Sequence, residues 1–162
     1  MLKELQEFLF PKNTSRKTVI GDSLDYRGFA LGEVNLIPHW QKIKGSKTKE
    51  CNKLKSERYI CLFNQTKEYF KKNCPEPEFK YSTIQYNKNH KCARHKDGKN
   101  VGESYIVGLG DYEGGRLIVY DENDNPEYID IKNKFYKFNG SKYHHETEEF
   151  SGERYSMVYF CV

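Results

Sequence analysis

Three segments in the second half of the chain carry residue types that a packed core does not select. The first is Ala93-Arg94-His95-Lys96-Asp97. In an extended chain residues two apart point to one face, so His95 and Asp97 can present an imidazole nitrogen and a carboxylate oxygen to a common point. The second, Tyr143-His144-His145-Glu146-Thr147, follows about fifty residues later. The third runs from Gly152 to Phe160, where Arg154 and Ser156 share a face with Val158 and Phe160. A guanidinium on an otherwise apolar strand face needs an anion, because an unpaired buried charge costs several kcal/mol. No acidic residue stands at alternate positions of that strand to supply one. A ligand carboxylate would.

Each segment alone has a plain explanation. An H-x-D arises by chance in a Lys-rich chain, His144 and His145 suit a wet surface, and Arg154 could snorkel to solvent. Their order and spacing point elsewhere. Two histidines and one carboxylate form the facial triad that binds non-haem Fe(II) and leaves three positions open. An arginine nine or ten residues after the second histidine, on the next strand, can hold the far carboxylate of a bidentate keto acid. Spacing leaves the second histidine open. Counting forward from Phe138-Asn139-Gly140 favours His144, whereas counting back from Arg154 favours His145.

The elements that must position these groups follow from patterning over the 162 residues, enough for one domain with its own core. Leu2, Leu5, Phe8 and Leu9 recur at helical spacing, which predicts a short amphipathic helix closed by Pro11. A second helix is predicted from about Glu57 to Asn73, with Ile60, Phe63, Tyr69 and Phe70 mostly on one face and Pro75 and Pro77 ending it. Between them the chain is mixed, with strand-like pieces such as Phe29–Ile37. After Glu78, runs rich in Tyr, Ile, Val and Phe alternate with Gly, Asn and Asp clusters, the pattern of a sandwich or barrel. Strands are expected near 79–87, 91–97, 103–109, 115–121, 126–131, 134–138, 143–148 and 153–161. Eight strands suit a double-sheet jelly roll. The expected organisation is α+β but mainly β: one domain over 1–162, with 1–78 as a helical, basic support and 79–162 as the β core.

Composition narrows the function classes. No apolar run approaches the ~20 residues that span a bilayer. The segment MLKELQEFLFPK lacks the pattern of a secretory signal. Five cysteines at irregular spacing, with no C-x-x-C pair, argue against a disulfide framework or a thiolate zinc site and fit a reducing, intracellular compartment. The net charge of +4 is uneven. Residues 1–80 hold 16 basic and 10 acidic side chains, whereas 81–162 hold 11 and 13. Seven basic residues fall between Lys42 and Arg58, which either keep a surface soluble or attract a phosphate backbone.

The region from Phe79 to Val162 resembles the double-stranded β-helix of the Fe(II)/2-oxoglutarate-dependent dioxygenases. The matching segments run in family order: TIQYNKN, the HKD motif, LGDYEGGRLIVY, the strand pair ending in FNG, HETEEF and GERYSMVYF. Within that superfamily, NVGESYIVGLGDYEGGRL followed by FNG and GERYS is most similar to the TET/JBP-type branch, which oxidises the methyl group of 5-methylpyrimidines in DNA. The chain carries no Cys-rich module such as larger members of that branch have. The resemblance implies Fe(2+) held by His95, Asp97 and, matching H-E-T-x-x-F, His145. It also implies 2-oxoglutarate with its distal carboxylate on Arg154, helped by Ser156, and Tyr86 or Asn87 facing that co-substrate. O2 is the second co-substrate, and the products are succinate, CO2 and a hydroxylated C–H bond. The carboxylate of Asp97 favours hydroxylation, because related halogenases carry a small residue there.

Three readings of the prime substrate and function follow. The leading one is a methylated base in nucleic acid, bound through the basic N-terminal half, with Trp40, His39 and the Lys42–Arg58 stretch as candidate contacts. The second is a peptide substrate, hydroxylated on proline or lysine by the same site residues. The third is a non-catalytic β-barrel binding module.

Overall fold

The computed structural model describes residues 1–12, 27–32 and 56–162. In chain order the elements are helix α1 (Leu2–Glu7), strand β1 (Arg27–Gly32), helix α2 (Glu57–Asn73), and strands β2 (Thr83–Lys88), β3 (Ser104–Gly114), β4 (Leu117–Tyr120), β5 (Pro126–Ile129), β6 (Tyr136–Phe138), β7 (His145–Thr147) and β8 (Phe150–Phe160). They form a five-stranded sheet, β1-β2-β8-β3-β6, and a three-stranded sheet, β5-β4-β7. All pairings within both sheets are antiparallel. This is the double-sheet jelly roll expected from the strand pattern, with the helices packed on the larger sheet.

Strand alternation divides the larger sheet into two faces. Tyr155, Met157 and Tyr159 of β8 join Ile84 and Tyr86 of β2 and Tyr105, Val107 and Leu109 of β3 in one buried cluster. Against them pack Leu5, Phe10, Phe29, Leu62 and Phe70. The opposite face, with Ile106 and Val158, meets Leu117, Val119 and Ile129 of the smaller sheet in a second cluster. That second, inter-sheet face also carries Arg154, Ser156 and Asn87, so polar chemistry and apolar packing share one side of the sheet.

The α2 helix matches its predicted span, and of its predicted face Phe70 is buried and Phe63 and Tyr69 pack half-buried against the core, whereas Ile60 does not. Glu57 lies in its first turn and Lys71 and Lys72 in its last, matching the helix dipole. Its buried residues are Leu62, Thr66 and Phe70, spaced by four, whereas Ile60 is 41% exposed. Thr66 tolerates burial because its hydroxyl donates to the Leu62 carbonyl at 2.6 Å. A search for apolar periodicity passes over a threonine, so it misses the centre of the buried face.

The strand expected over 91–97 is not a regular strand. Its only ladder position is an isolated bridge from His95 to His145. The expected strand at 153–161 starts earlier, and that at 103–109 runs further, because β3 and β8 pair continuously from Tyr105↔Tyr159 to Gly114↔Phe150. Of the strand-like stretch Phe29–Ile37, residues up to Gly32 lie in β1 and the rest fall outside the described residues. The Lys42–Arg58 stretch, with Trp40 and His39, lies outside them too, except for residues 56–58. The described cysteines Cys61, Cys74, Cys92 and Cys161 are free thiols. Among the described residues no helix is long and apolar enough to cross a membrane.

Phe70 is 1% exposed, and its ring lies 4.5 Å from that of Tyr159 and 5.0 Å from that of Tyr81. Phe70→Ala is expected to cost about 3–5 kcal/mol by urea denaturation, against roughly 0.5 kcal/mol or less for Ile60→Ala on the exposed side. Equal losses would place the buried stripe of α2 elsewhere.

Candidate metal and co-substrate site

The site begins with a backbone contact. The His95 N–H donates to the His145 carbonyl and the His145 N–H to the His95 carbonyl, both at 3.0 Å. The Thr147 N–H continues the pairing to the Cys92 carbonyl at 3.0 Å. Asp97 is tied next door, its N–H donating to the Gly140 carbonyl at 2.9 Å. Residues from three separate stretches of chain thus meet at one end of the smaller sheet.

Both imidazoles are oriented the same way. His95 Nδ1 contacts the Ala93 carbonyl at 2.8 Å, and His145 Nδ1 contacts the Tyr143 carbonyl at 3.2 Å. With Nδ1 donating to a carbonyl, each Nε2 keeps its lone pair for a metal. Those Nε2 atoms face one carboxylate: His95 lies 3.4 Å from Asp97 Oδ1, and His145 lies 3.5 Å from Asp97 Oδ2. One ligand atom from each of the three residues falls within 4.8 Å of the others. Two neutral imidazole nitrogens and a carboxylate oxygen suit a divalent first-row metal. Gly140 keeps the space clear, since a Cβ there would lie 3.1 Å from Asp97 Oδ2 and 3.2 Å from His145 Cε1.

Without a metal, His95 and Asp97 perturb each other. Burial disfavours a charge on His95, but hydrogen bonds to Asp97 and Cys92 outweigh it and push the imidazole up to about 10. Burial would raise Asp97, and the two histidines instead hold its carboxyl well below the usual carboxylate range. His144 points elsewhere. It is exposed, and partial desolvation together with nearby Lys96 and Arg94 lowers its pKa.

Arg154 is 2% exposed on the inter-sheet face. Its Nε donates to the Gly115 carbonyl at 3.2 Å, and among the described residues no carboxylate lies within ion-pair distance of it. Gly115 permits this seat, since a Cβ there would come within 2.9 Å of Arg154 Cδ and Nε. The Tyr112 ring centre lies 5.6 Å from the guanidinium carbon, and its buried hydroxyl interacts with that guanidinium. Gly108 leaves room for that hydroxyl, which lies 2.4 Å from where a Cβ would be. Burial pulls the guanidinium below its ordinary range, although an arginine remains charged.

Ser156 stands opposite Asn87 in the sheet register. Gln85 Nε2 donates to Asn87 Oδ1 at 3.1 Å, and Asn87 Nδ2 donates to Ser156 Oγ at 3.1 Å. Ser156 accepts in that chain, so its own O–H is available to donate onward. Cys92 links the two groups of residues. Its Sγ lies 3.3 Å from His95 Nδ1, and it is an electrostatic neighbour of Arg154.

Of the residues expected from the sequence, the structure brings His95, Asp97 and His145 together and puts Arg154, Ser156 and Asn87 on one sheet face. Tyr86 is not among them. Its ring stacks on Phe29 with centroids 4.9 Å apart, in the cluster beneath the helices. One step along a strand reverses the face, so Asn87 and Tyr86 could never both look into the site. Sequence reasoning missed Gln85, Tyr112, Gly115 and Gly140. Gln85 had a signal, since it lies two residues before Asn87. Tyr112 had none, because a tyrosine in a β-rich run reads as core.

No protein-family model matches the chain, and no curated protein matches its sequence. Solved structures do match its fold. A 2OG-Fe(II) oxygenase family oxidoreductase from Burkholderia pseudomallei superimposes with a TM-score of 0.55 at 19% identity, over 98% of this chain and 74% of that one. A prolyl hydroxylase from Trichoplax adhaerens, in complex with a hypoxia inducible factor peptide fragment, gives 0.53 at 11% identity, over 98% and 73%. NgTET1 in complex with 5mC DNA gives 0.51 at 15% identity, over 83% of this chain and 60% of that one. With its two antiparallel sheets and a His-Asp-His group able to hold a metal, the chain has the double-stranded β-helix fold of the 2OG-Fe(II) oxygenases.

Proposed function

We propose that the protein is an Fe(II)- and 2-oxoglutarate-dependent dioxygenase that hydroxylates a C–H bond, its prime substrate being the methyl group of a 5-methylpyrimidine in nucleic acid. The observation that carries the chemistry is the convergence of His95 Nε2, His145 Nε2 and an Asp97 oxygen, on the same fold as a buried arginine with no carboxylate partner among the described residues. Iron bound there with 2-oxoglutarate supplies the activation of O2, coupled to decarboxylation of the co-substrate to succinate and CO2, that oxidises a C–H bond.

The chain's own residues do the rest. His95, Asp97 and His145 hold the metal, with their orientation fixed by the Ala93, Tyr143 and Gly140 carbonyls. Arg154 pairs with the distal carboxylate of 2-oxoglutarate, because a planar guanidinium matches a carboxylate bidentately. The Tyr112 hydroxyl and the Ser156 hydroxyl donate beside it, and the Gln85–Asn87–Ser156 chain fixes the direction of that last donor. Desolvation strengthens these contacts, since Arg154, Tyr112 and Ser156 are all at most 5% exposed.

The nucleic-acid part of the reading is supported by the TET/JBP-like run of motifs and by the positive charge of the first eighty residues. The fold likeness to a prolyl hydroxylase favours the second reading, a peptide substrate. Incubation with Fe(II), 2-oxoglutarate and a panel of methylated oligonucleotides and peptides, read by mass spectrometry, decides between them. Addition of one oxygen to a methylated oligonucleotide is the expected result, with oligonucleotide binding that weakens steeply as salt rises. Oxidation of a peptide alone would replace the substrate class and keep the iron chemistry.

His95→Ala and Asp97→Ala are expected to abolish both Mn(II) binding by calorimetry and succinate formation, while His144→Ala keeps both. Succinate formation unchanged in the folded His95 and Asp97 variants would overturn the metal assignment. A pH series gives an independent measure. His95 holds a proton in the metal-free site up to about pH 10, and a metal must displace it. Mn(II) affinity is therefore expected to rise with pH above neutrality. A flat profile would mean that metal binding displaces no proton from His95.

A further inference from the structure

Resting on the co-substrate reading proposed above, we infer that Asn89 is a positioning residue that sets Arg154 for the distal carboxylate of 2-oxoglutarate. Strand β2 ends at Lys88, which pairs with Tyr155, so the next residue, Asn89, falls opposite Arg154. There the backbone turns left-handed, with a φ of 49°. Two residues in a hydrogen-bonded pair of an antiparallel ladder exchange both N–H···O bonds through their backbones. Here only one of the two is a backbone bond: the Asn89 N–H donates to the Arg154 carbonyl at 2.7 Å. The left-handed turn takes the Asn89 carbonyl out of the ladder. Its side-chain Oδ1 stands in, accepting from the Arg154 N–H at 2.8 Å. Asparagine suits this corner on both counts, since it tolerates a left-handed backbone and carries an amide oxygen like that of the peptide.

The consequence reaches the guanidinium. Arg154 is 2% exposed, and its Nε donates to the Gly115 carbonyl at 3.2 Å. The outer part of the side chain is thus seated on Gly115, and its root is held by Asn89. A bidentate grip on a carboxylate is directional, and such a site works only within about 0.5 Å of its productive geometry. Loss of the Oδ1 acceptor leaves the N–H at the root of the arginine without its partner. That shifts Arg154 while its own side chain and the metal ligands stay unaltered. No motif marks the residue, because an asparagine in the polar run after a strand reads as an ordinary turn.

Calorimetry on the Mn(II)-loaded protein tests this with two keto acids, 2-oxoglutarate and 2-oxopentanoate. They share the keto acid end, and 2-oxopentanoate has a methyl group in place of the distal carboxylate. Asn89→Gly keeps the backbone conformation and removes the acceptor. Its affinity for 2-oxoglutarate should fall roughly tenfold, the scale of one weakened hydrogen bond to a charged group. Its affinities for 2-oxopentanoate and for Mn(II) should stay within about threefold of the parent, since the metal ligands are kept. Asn89→Asp, which keeps an acceptor, should retain the parent's preference for 2-oxoglutarate. Asn89→Ser, whose hydroxyl is one bond short of the acceptor's place, substitutes for a glycine variant that fails to fold. A merely structural role would weaken both keto acids alike. Equal weakening of the two, or no weakening of either, would therefore overturn the role of Asn89 and leave the site intact. A parent that binds no Mn(II), or binds the two keto acids equally well, would overturn the site proposed above, and this inference with it.

Discussion

His95 and His145 stand about fifty residues apart in the chain, and the reciprocal pair of N–H···O bonds between their backbones, each 3.0 Å, makes them neighbours. Everything in the metal group depends on that pairing. It places two imidazoles with ring centroids 4.3 Å apart on one side of the chain, and the turn after His95 brings Asp97 between them. The segment need not be a regular strand to do this. An isolated bridge lets the chain leave the sheet after His95, which brings the Asp97 N–H to the Gly140 carbonyl. A continued ladder would have spent that N–H on the stretch just before β7.

The second constraint is the alternation of β8. Tyr155, Met157 and Tyr159 are each fully buried toward the helices, which anchors the strand and leaves no freedom to rotate or slip by one residue. Arg154 and Ser156 are thereby forced onto the opposite face, whatever that costs in desolvation. A buried guanidinium is expensive unless an anion meets it. The aromatic cluster beneath the sheet is therefore part of the site's construction. Phe70, Phe29 and the tyrosines hold β8 in the one register that presents Arg154 inward.

Glycine recurs where the site needs backbone rather than side chain. Gly115 seats the Arg154 guanidinium, Gly108 leaves space for the Tyr112 hydroxyl, and Gly140 forms the wall against Asp97 and His145. In each case a Cβ would fall at 3.1 Å or less from a polar atom of the site. The polar chain from Gln85 through Asn87 to Ser156 shows the same economy from the other direction. Each amide is fixed by its neighbour, so the last hydroxyl is pointed without a charged group.

The sequence alone determined which chemistry the chain could support. The types and order of His95, Asp97, the two distal histidines and Arg154 are properties of the string, and so is the period-two pattern that separates Arg154 from Tyr155. The jelly roll was legible for the same reason, since short Tyr- and Val-rich runs between Gly and Asn clusters leave few alternatives. Only the tertiary structure decided what pattern cannot express. Period two says that Tyr86 and Asn87 face opposite ways but not which of them faces the site, because that depends on which side of β2 the helices cover. It says that His144 and His145 diverge, but the choice of the buried one is made by the backbone bridge to His95. Tyr112 and Gly140 matter only through partners brought to them by the fold. A string records the order of residues, and these roles are set by which groups become neighbours in space.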